Sequence, residues 1–439
     1  MSFPRYSKYK ASGVEWLGEV PEHWRVVPLK YVASHNNDAL DETTHPDTEI
    51  LYVDISGVDA LDGIKIKEPM LFSAAPSRAR RRVKDGDTIV STVRTYLRAI
   101  ARVRNPEINL IVSTGFAVVR PRADLSPNYA GNILTASYFI EQVIARSTGV
   151  SYPAINASEL VQIPIAFPPL AEQTAIAAFL DHETAKIDAL VAEQERLIDL
   201  LKEKRQAVIS HAVTKGLNPD APMKDSGIEW LGEVPEHWEV LRMGNVFREV
   251  AELGTDSLPI LSVSIHHGVS DKEMDDEEMD RKVTRSEDRS KYKRVAKGDL
   301  VYNMMRAWQG GFGTVMVAGM VSPAYVVARP KGKLETAFTE HLLRTPQAIE
   351  QMRRNSRGIT DFRLRLYWDE FKNISLALPP QEETIAICAK IAELVARFSA
   401  MSMACVDAID LLKERRTALI SAAVTGQIDV RNLVPVESA

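Results

Sequence analysis

Gly13-Val-Glu-Trp-Leu-Gly-Glu-Val-Pro-Glu-His-Trp24 returns 214 residues later as Gly227-Ile-Glu-Trp-Leu-Gly-Glu-Val-Pro-Glu-His-Trp238, with 11 of 12 positions identical. A second block, Leu200-Leu-Lys-Glu-Lys-Arg-Gln-Ala-Val-Ile-Ser-His-Ala-Val-Thr214, returns at Leu411 to Thr425 with an offset of 211. Between these ends the likeness thins but keeps register. Arg82-Val83 and Gly86-Asp87 match Arg294-Val295 and Gly298-Asp299, and Arg94 matches Arg306, all at an offset of 212. Val112-Ser113 followed by Arg120-Pro121 matches Val321-Ser322 followed by Arg329-Pro330, at an offset of 209. A period this long marks a duplicated domain pair rather than a solenoid of short repeats. Near-identical ends with divergent middles are expected when one scaffold is used twice and the middles face different things.

Each copy has two parts. The first mixes β-type runs (Thr88-Ile-Val-Ser-Thr-Val93, Phe116-Ala-Val-Val119) with helical pieces such as Tyr138-Phe-Ile-Glu-Gln-Val-Ile144, punctuated by turn residues. It ends at Pro168-Pro169 and again at Pro379-Pro380, a boundary because proline is tolerated only at a helix start. The second part is one long helix per copy. From Ile176 a 4-3 spacing picks out Leu180, Glu183, Ile187, Leu190, Gln194, Leu197, Leu201, Lys204, Val208 and His211. The counterparts run Ile387, Ile391, Leu394, Phe398, Met401, Cys405, Ala408, Leu412, Arg415, Leu419 and Ala422. A period near 3.5 without internal Pro or Gly predicts coiled coil, with each helix about 60 Å long. Two such helices in one chain pair most simply antiparallel. Charges at flanking positions (Glu193, Glu195, Lys202, Glu203) favour that exposed coil over two helices buried in one core.

The expected fold is mixed α/β (α+β): two globular domains, 1–167 and 217–378, separated by helices at 168–216 and 379–428, with a tail at 429–439. The 439 residues, 45% hydrophobic and 26% charged, suit several domains of about 100–200 residues each. Cys388 and Cys405, the only two cysteines, fall on one helix, about 25 Å apart at the helical rise, far beyond disulfide reach. They point to a reducing compartment. Met1 to Arg5 opens without the apolar core of a signal peptide. Ala307 to Ala328 is uncharged, but its glycines and short valine runs fit two strands around a turn better than a membrane span. The chain reads as cytoplasmic, without a membrane partner.

A search for catalytic machinery finds no Gly-x-x-x-x-Gly-Lys-Ser/Thr phosphate loop, no Asn/Asp-Pro-Pro-aromatic tetrad and no His-Glu-x-x-His pair. Gly310-Gly311-Phe312-Gly313 reads as a turn between strands, lacking the spacing of a dinucleotide fingerprint. His266-His267 is a weak metal pair, and His23 and His237 sit beside Trp where packing explains them. No catalytic or metal-ligating residue is assigned.

The basic clusters are informative. Residues 76–104 hold nine cations: Arg78, Arg80, Arg81, Arg82, Lys84, Arg94, Arg98, Arg102 and Arg104. Residues 281–306 hold nine more, among them Lys291, Lys293, Arg294 and Arg306. The same address is basic in both copies of a chain whose net charge is −5. Phosphate neutralisation is the obvious use. Aromatics and amides interleave (Arg94-Thr95-Tyr96; Arg306-Ala307-Trp308-Gln309), and Arg353, Arg354, Arg357 and Arg363 precede the second double proline. Arginine and glutamine read guanine and adenine edges bidentately. The acidic run Asp271 to Asp280 reads as a solvated loop.

The repeated Gly-Val/Ile-Glu-Trp-Leu-Gly-Glu-Val-Pro-Glu-His-Trp motif resembles the specificity subunits of type I DNA restriction–modification enzymes. So do the helix start Pro168-Pro-Leu-Ala-Glu-Gln-Thr174 and the helix end Leu411 to Gly426. The resemblance covers the whole chain. It implies two target-recognition domains, each binding one half of a split double-stranded DNA sequence, with the two helices as spacer. It implies a non-catalytic subunit that recruits two modification (methyltransferase) subunits and, with two restriction subunits, forms the nuclease. No cofactor would be bound by this chain: S-adenosylmethionine belongs to the modification subunits, and ATP and Mg to the restriction subunits. The alternative is a stand-alone sequence-specific DNA-binding protein. The second helix opens Pro379-Pro-Gln-Glu-Glu-Thr384, so a role for Gln173 is not carried over to it.

Overall fold

The motif that opens each copy folds the same way twice. Tyr9–Ala11 pairs antiparallel with Glu19–Pro21, and Met223–Asp225 pairs with Glu233–Pro235. Gly13, Gly18, Gly227 and Gly232 take φ of 77°, 62°, 69° and 62° in the connecting turns, backbone that a residue with a Cβ adopts only at a cost. The computed structural model describes residues 3–59, 63–255, 257–265, 268–272, 289–358 and 364–433. The acidic run from Glu273 onward, His266-His267 and Arg363 lie outside the described residues.

The motif ends on tryptophans that are buried in both copies, Trp24 and Trp238. The Trp24 indole donates to Glu172 at 2.9 Å, the Tyr6 hydroxyl donates to the same oxygen at 3.2 Å, and His23 Nε2 lies 2.6 Å from the other. In the second copy Glu383 takes His237 Nε2 at 2.6 Å and the Trp238 indole at 3.3 Å. Both glutamates sit in the first turn of a long helix, where negative charge is favoured. The recurring histidines therefore dock a helix to its domain. Gln173, next along, is fully buried and donates to the Asp124 and Pro168 carbonyls, while Thr384 at the aligned position donates to the Pro379 carbonyl. The amide's role passes in part to a hydroxyl.

By contacts the chain forms two units, 1–195 with 406–439, and 196–405. In the first, an antiparallel sheet runs Ile100–Arg102, Thr88–Ser91, Phe116–Pro121, Ala33–His35. A second sheet runs Glu68–Leu71, Glu49–Val53, Leu110–Ser113, Ala79–Arg82, with the middle pair parallel. In the second unit the main sheet repeats the first with the same neighbours: Phe312–Thr314, Leu300–Asn303, Tyr325–Pro330, Phe247–Val250. Among the described residues the other consists of Lys293–Val295 with Gly319–Val321 and a parallel bridge from Ile260 to Met320. Residues 307–328 thus form short strands, three rather than the two expected once Tyr325–Pro330 is included.

The Gly-Asp and Arg-Pro pairs that kept register in sequence meet in space. Arg120 donates to both oxygens of buried Asp87, at 2.8 and 2.7 Å, and Arg329 to both oxygens of buried Asp299, at 2.9 Å each. Each aspartate also accepts a backbone N–H at 2.8 Å, from Lys84 and Ala296. Bidentate, fully satisfied pairs of this kind are costly to break from one side.

The long helices span Leu170–Lys215 and Gln381–Val424, starting just past each double proline. In the first unit Ile176, Leu180 and Ile187 bury against Leu419, Ile420, Ala423 and Val424, and Arg416 donates to Asp188 at 3.0 Å. In the second unit Ile209, Ala212 and Val213 share a core with Ile387 and Ile391. Early residues of one helix meet late residues of the other, so each unit contains an antiparallel helix pair.

The seam corrects the expected register. Leu180, Ile187, Leu201, Ile391 and Leu419 are buried and Phe398 and Leu412 half-buried, but Leu190, Leu197 and Met401 are 51%, 39% and 42% exposed. Thr184, Val191 and Ile198 turn inward instead, as do Ser402 and Ile409 on the second helix. The steps Ile176, Leu180, Thr184 are two fours in a row, a stutter that shifts alternate positions by one residue. Among the described residues no helix is long and apolar enough to cross a membrane. The expected tail also packs in part: Val430 is buried, the Asp429 N–H donates to Pro4 at 2.8 Å, and the Arg431 guanidinium lies 4.8 Å from the Tyr6 ring.

Candidate nucleic-acid interface

The first basic cluster divides into held and free cations. Strand Ala79–Arg82 is the last of its sheet, and its outer side is bonded to the segment 38–40, the Leu40 N–H donating to the Arg80 carbonyl at 2.7 Å and the Arg82 N–H to the Asp38 carbonyl at 3.0 Å. Arg78 donates to Asp54 at 2.8 Å and to the Tyr52 hydroxyl at 3.1 Å, and these partners raise its pKa. Arg82 and Lys84 lie 3.9 and 3.4 Å from Asp38. Arg80 stacks 4.7 Å over Phe72, and burial depresses the pKa of half-buried Arg81. Exposed pairs at these distances are weak, so Arg80, Arg82 and Lys84 can still turn to phosphate.

Arg102 and Arg104 are different: both reach Asp181 on the first long helix, at 3.4 and 3.3 Å. Arg102 also donates to Asn132, and burial pushes its guanidinium down to about 10. Arg102 ties the sheet to the helix and is held there, while Arg104, exposed, shares the same carboxylate by a weak pair.

The turn between strands Thr88–Ser91 and Ile100–Arg102 carries the remaining cations. Arg94 and Arg98 flank a single helical turn, Thr95–Leu97, and both hold left-handed backbone, φ 51° and 53°. For residues with a Cβ this costs about 1–2 kcal/mol each, a strain that clusters at functional turns. Neither is paired with a carboxylate among the described residues, and both are exposed, beside Tyr96 at 52% and Leu97 at 46%. The Arg94 guanidinium lies 4.9 Å from the ring of Tyr152. Sequence reading passed over Tyr152 and its loop; the turn formers Gly149 and Pro153 around an aromatic were the available signal.

The second unit builds the same turn from other residues. Arg306 opens the helical turn Ala307–Gln309, and the left-handed closing position is Gly310, φ 85°, where the first unit has Arg98. Trp308 is half-buried with its indole donating to the Met305 carbonyl at 3.0 Å, and Gln309 is exposed. Arg294 is exposed, while Lys293 is half-buried, donates to the Tyr325 carbonyl at 2.7 Å and has its pKa lowered by that burial. Lys291 sits on the preceding turn Arg289–Lys291. Arg353 and Arg354 end helix Pro346–Arg354, Arg354 lying 3.3 Å from Glu350, and Arg357 is paired with Glu370. Arg357 is therefore a held cation rather than a free reader.

Each unit thus presents a hairpin turn carrying arginine and an aromatic or amide at one address, on a scaffold otherwise repeated. Exposed guanidinium, amide and aromatic groups bind phosphates, hydrogen-bond base edges and pack on bases.

Parts of the chain match known proteins in sequence, and its fold matches a solved one. Residues 77–198 match the family model of the type I restriction modification DNA specificity domain. The putative type I restriction enzyme MjaX specificity subunit of Methanocaldococcus jannaschii is 26% identical over 246 residues, 52% of this chain and 54% of that protein. The type I restriction enzyme EcoBI specificity subunit of Escherichia coli is 25% identical over 306 residues, 66% of this chain and 64% of that protein. The match therefore spans about half of the first relative's length and just under two thirds of the second's. A chain solved in work on assembly and conformational transition of the type I R-M system superposes with a TM-score of 0.66 at 23% identity, covering 92% of this chain and 98% of that one.

Proposed function

We propose that this chain, which carries a type I restriction modification DNA specificity domain over residues 77–198, is the specificity subunit of such a system: each unit reads one half of a bipartite duplex target. The observation that carries the reading is one scaffold used twice with different turns at one address. One is Arg94-Thr-Tyr-Leu-Arg98, exposed at Arg94, Tyr96, Leu97 and Arg98; the other is Arg306-Ala-Trp-Gln-Gly310, where Gln309 is exposed and Arg306 and Trp308 are half-buried. Phosphate contacts from Arg80 and Arg82 on strand Ala79–Arg82 and from the exposed Arg294 position each unit; the turn residues specify.

The long helices set the gap, because a helix of fixed residue count is a fixed length, about 1.5 Å per residue. They also dock the partner subunits, two modification and two restriction. Leu190, Leu197, Leu200, Met403 and Leu411 are exposed on them, the side chains a protein-binding face requires. The chain itself performs no chemistry: S-adenosylmethionine is used by the modification subunits, and ATP and Mg by the restriction subunits. Its place is the cytoplasm, with the DNA. Selecting bound duplexes from a random pool with the full chain tests this. Two short specified blocks around unspecified bases are expected; one contiguous block, or no enrichment, would overturn it.

A further inference from the structure

Beside the strained turn of the first unit lies a loop that neither the basic clusters nor the comparisons single out. Thr148 and Ala154 close it with two reciprocal backbone hydrogen bonds of 2.9 Å, Ala154 bridges Val93, and the Ile155 N–H donates to Thr92 at 2.9 Å. The Thr95 hydroxyl meets Ser147 at 2.9 Å, joining the loop's base to the turn. Gly149, φ 108°, makes the bend; a Cβ there would lie 3.1 Å from the Tyr152 carbonyl. At the tip Val150 is 102% exposed and Tyr152 64%.

One exposed apolar residue means little by itself. Here a β-branched side chain stands free on a loop tied down at both ends, next to Arg94 and Arg98, neither of which has a carboxylate partner among the described residues. The hydrogen bonds between Thr148 and Ala154 fix the base of the loop without a ligand, which lowers the cost of ordering it on binding. Positive charge around an apolar tip selects a polyanion that displays methyl groups. B-DNA offers this in the major groove, where thymine C5-methyl is the one apolar group on a base edge.

Resting on the specificity-subunit reading, we propose that the Thr148–Ala154 loop is a second reading element of the first unit: Val150 packs on a thymine methyl in one half-site, and Tyr152 is a positioning residue that holds the Arg94 guanidinium for a neighbouring base. The aligned loop of the second unit, which begins Ser356-Arg357-Gly358, is closed alike by reciprocal Arg357–Arg365 backbone hydrogen bonds of 2.9 Å, and Ile359, the residue aligned with Val150, lies outside the described residues.

The test selects bound duplexes with the full-length chain and with Val150→Ser, which exchanges an exposed side chain and leaves the fold intact by circular dichroism. The variant should lose thymine preference at one position of one half-site, by about fourfold, the value of one buried methyl group. The other half-site should be unchanged. Replacing that thymine with deoxyuridine should weaken wild type by the same factor and leave the variant unaffected. Tyr152→Ala should relax preference at the adjacent base, and Tyr152→Phe should restore it. If Val150→Ser keeps the thymine preference and the deoxyuridine penalty, or if Tyr152→Ala leaves the adjacent preference intact, the loop is not a reader. If wild type itself enriches no bipartite target, the specificity-subunit reading falls and this inference with it.

Discussion

Arg94→Ala and Arg102→Ala remove the same charge from one basic cluster and should have opposite consequences. Arg94 is exposed and unpaired with any carboxylate among the described residues. Its loss should weaken binding to the selected target by about 1–3 kcal/mol, or about 5- to 150-fold, with unfolding unchanged. If it reads a base, preference at one position relaxes; if it meets phosphate, all sequences weaken alike and the salt slope falls by about 0.9. Arg102 lies inside, donating to Asp181 and to the buried Asn132. Its removal strands the Asn132 side-chain amide oxygen and loses the packing of its own stem, costing about 2–4 kcal/mol of stability. For a unit of this size that lowers the midpoint by about 5–15 °C, while the folded variant binds as wild type does. Anisotropy titrations at low temperature and calorimetric unfolding read the two quantities separately. If Arg94→Ala bound normally while folded Arg102→Ala lost the target, the sorting of held and free cations would be refuted.

Four residues inserted after Lys202, matched by four after Ala400, should lengthen both helices by about 6 Å and widen the unread gap by about two base pairs, with both half-sites kept. Altered half-sites with the old gap would rule the spacer account out. Glu172→Leu should destabilise the first unit by about 3–5 kcal/mol, because it orphans the Trp24 and Tyr6 donors as well as His23. Glu383→Leu should cost the second unit less: its carboxylate is 26% exposed against 11% and holds only His237 and Trp238 by hydrogen bonds among the described residues. Equal losses in thermal melts would count against the clamp.

The duplication, the helix starts after each double proline and the basic addresses were all legible in the chain, because repetition, proline geometry and local charge leave direct traces. The helix phase was not. Leu190 and Val191 are adjacent apolar residues, as are Leu197 and Ile198, and a period alone does not say which faces inward; the four-four step from Ile176 decides it. The fate of each arginine was hidden for a related reason. Arg98 and Arg102 look alike in sequence, yet Arg102 turns inward over Gly131, where a Cβ would collide with it. That glycine lies 29 positions further on. The Val150 loop escaped notice because its meaning depends on its tie to the turn at Thr95, again a contact between distant residues.

The central claim is that each unit reads one half-site independently. Exchanging residues 217–378 for the equivalent segment of another such chain, then sequencing the duplexes the chimera selects, tests it most directly. The half-site read by the first unit and the gap should stay as in wild type while the other half-site changes completely. Change in both half-sites, or in neither, would contradict the account.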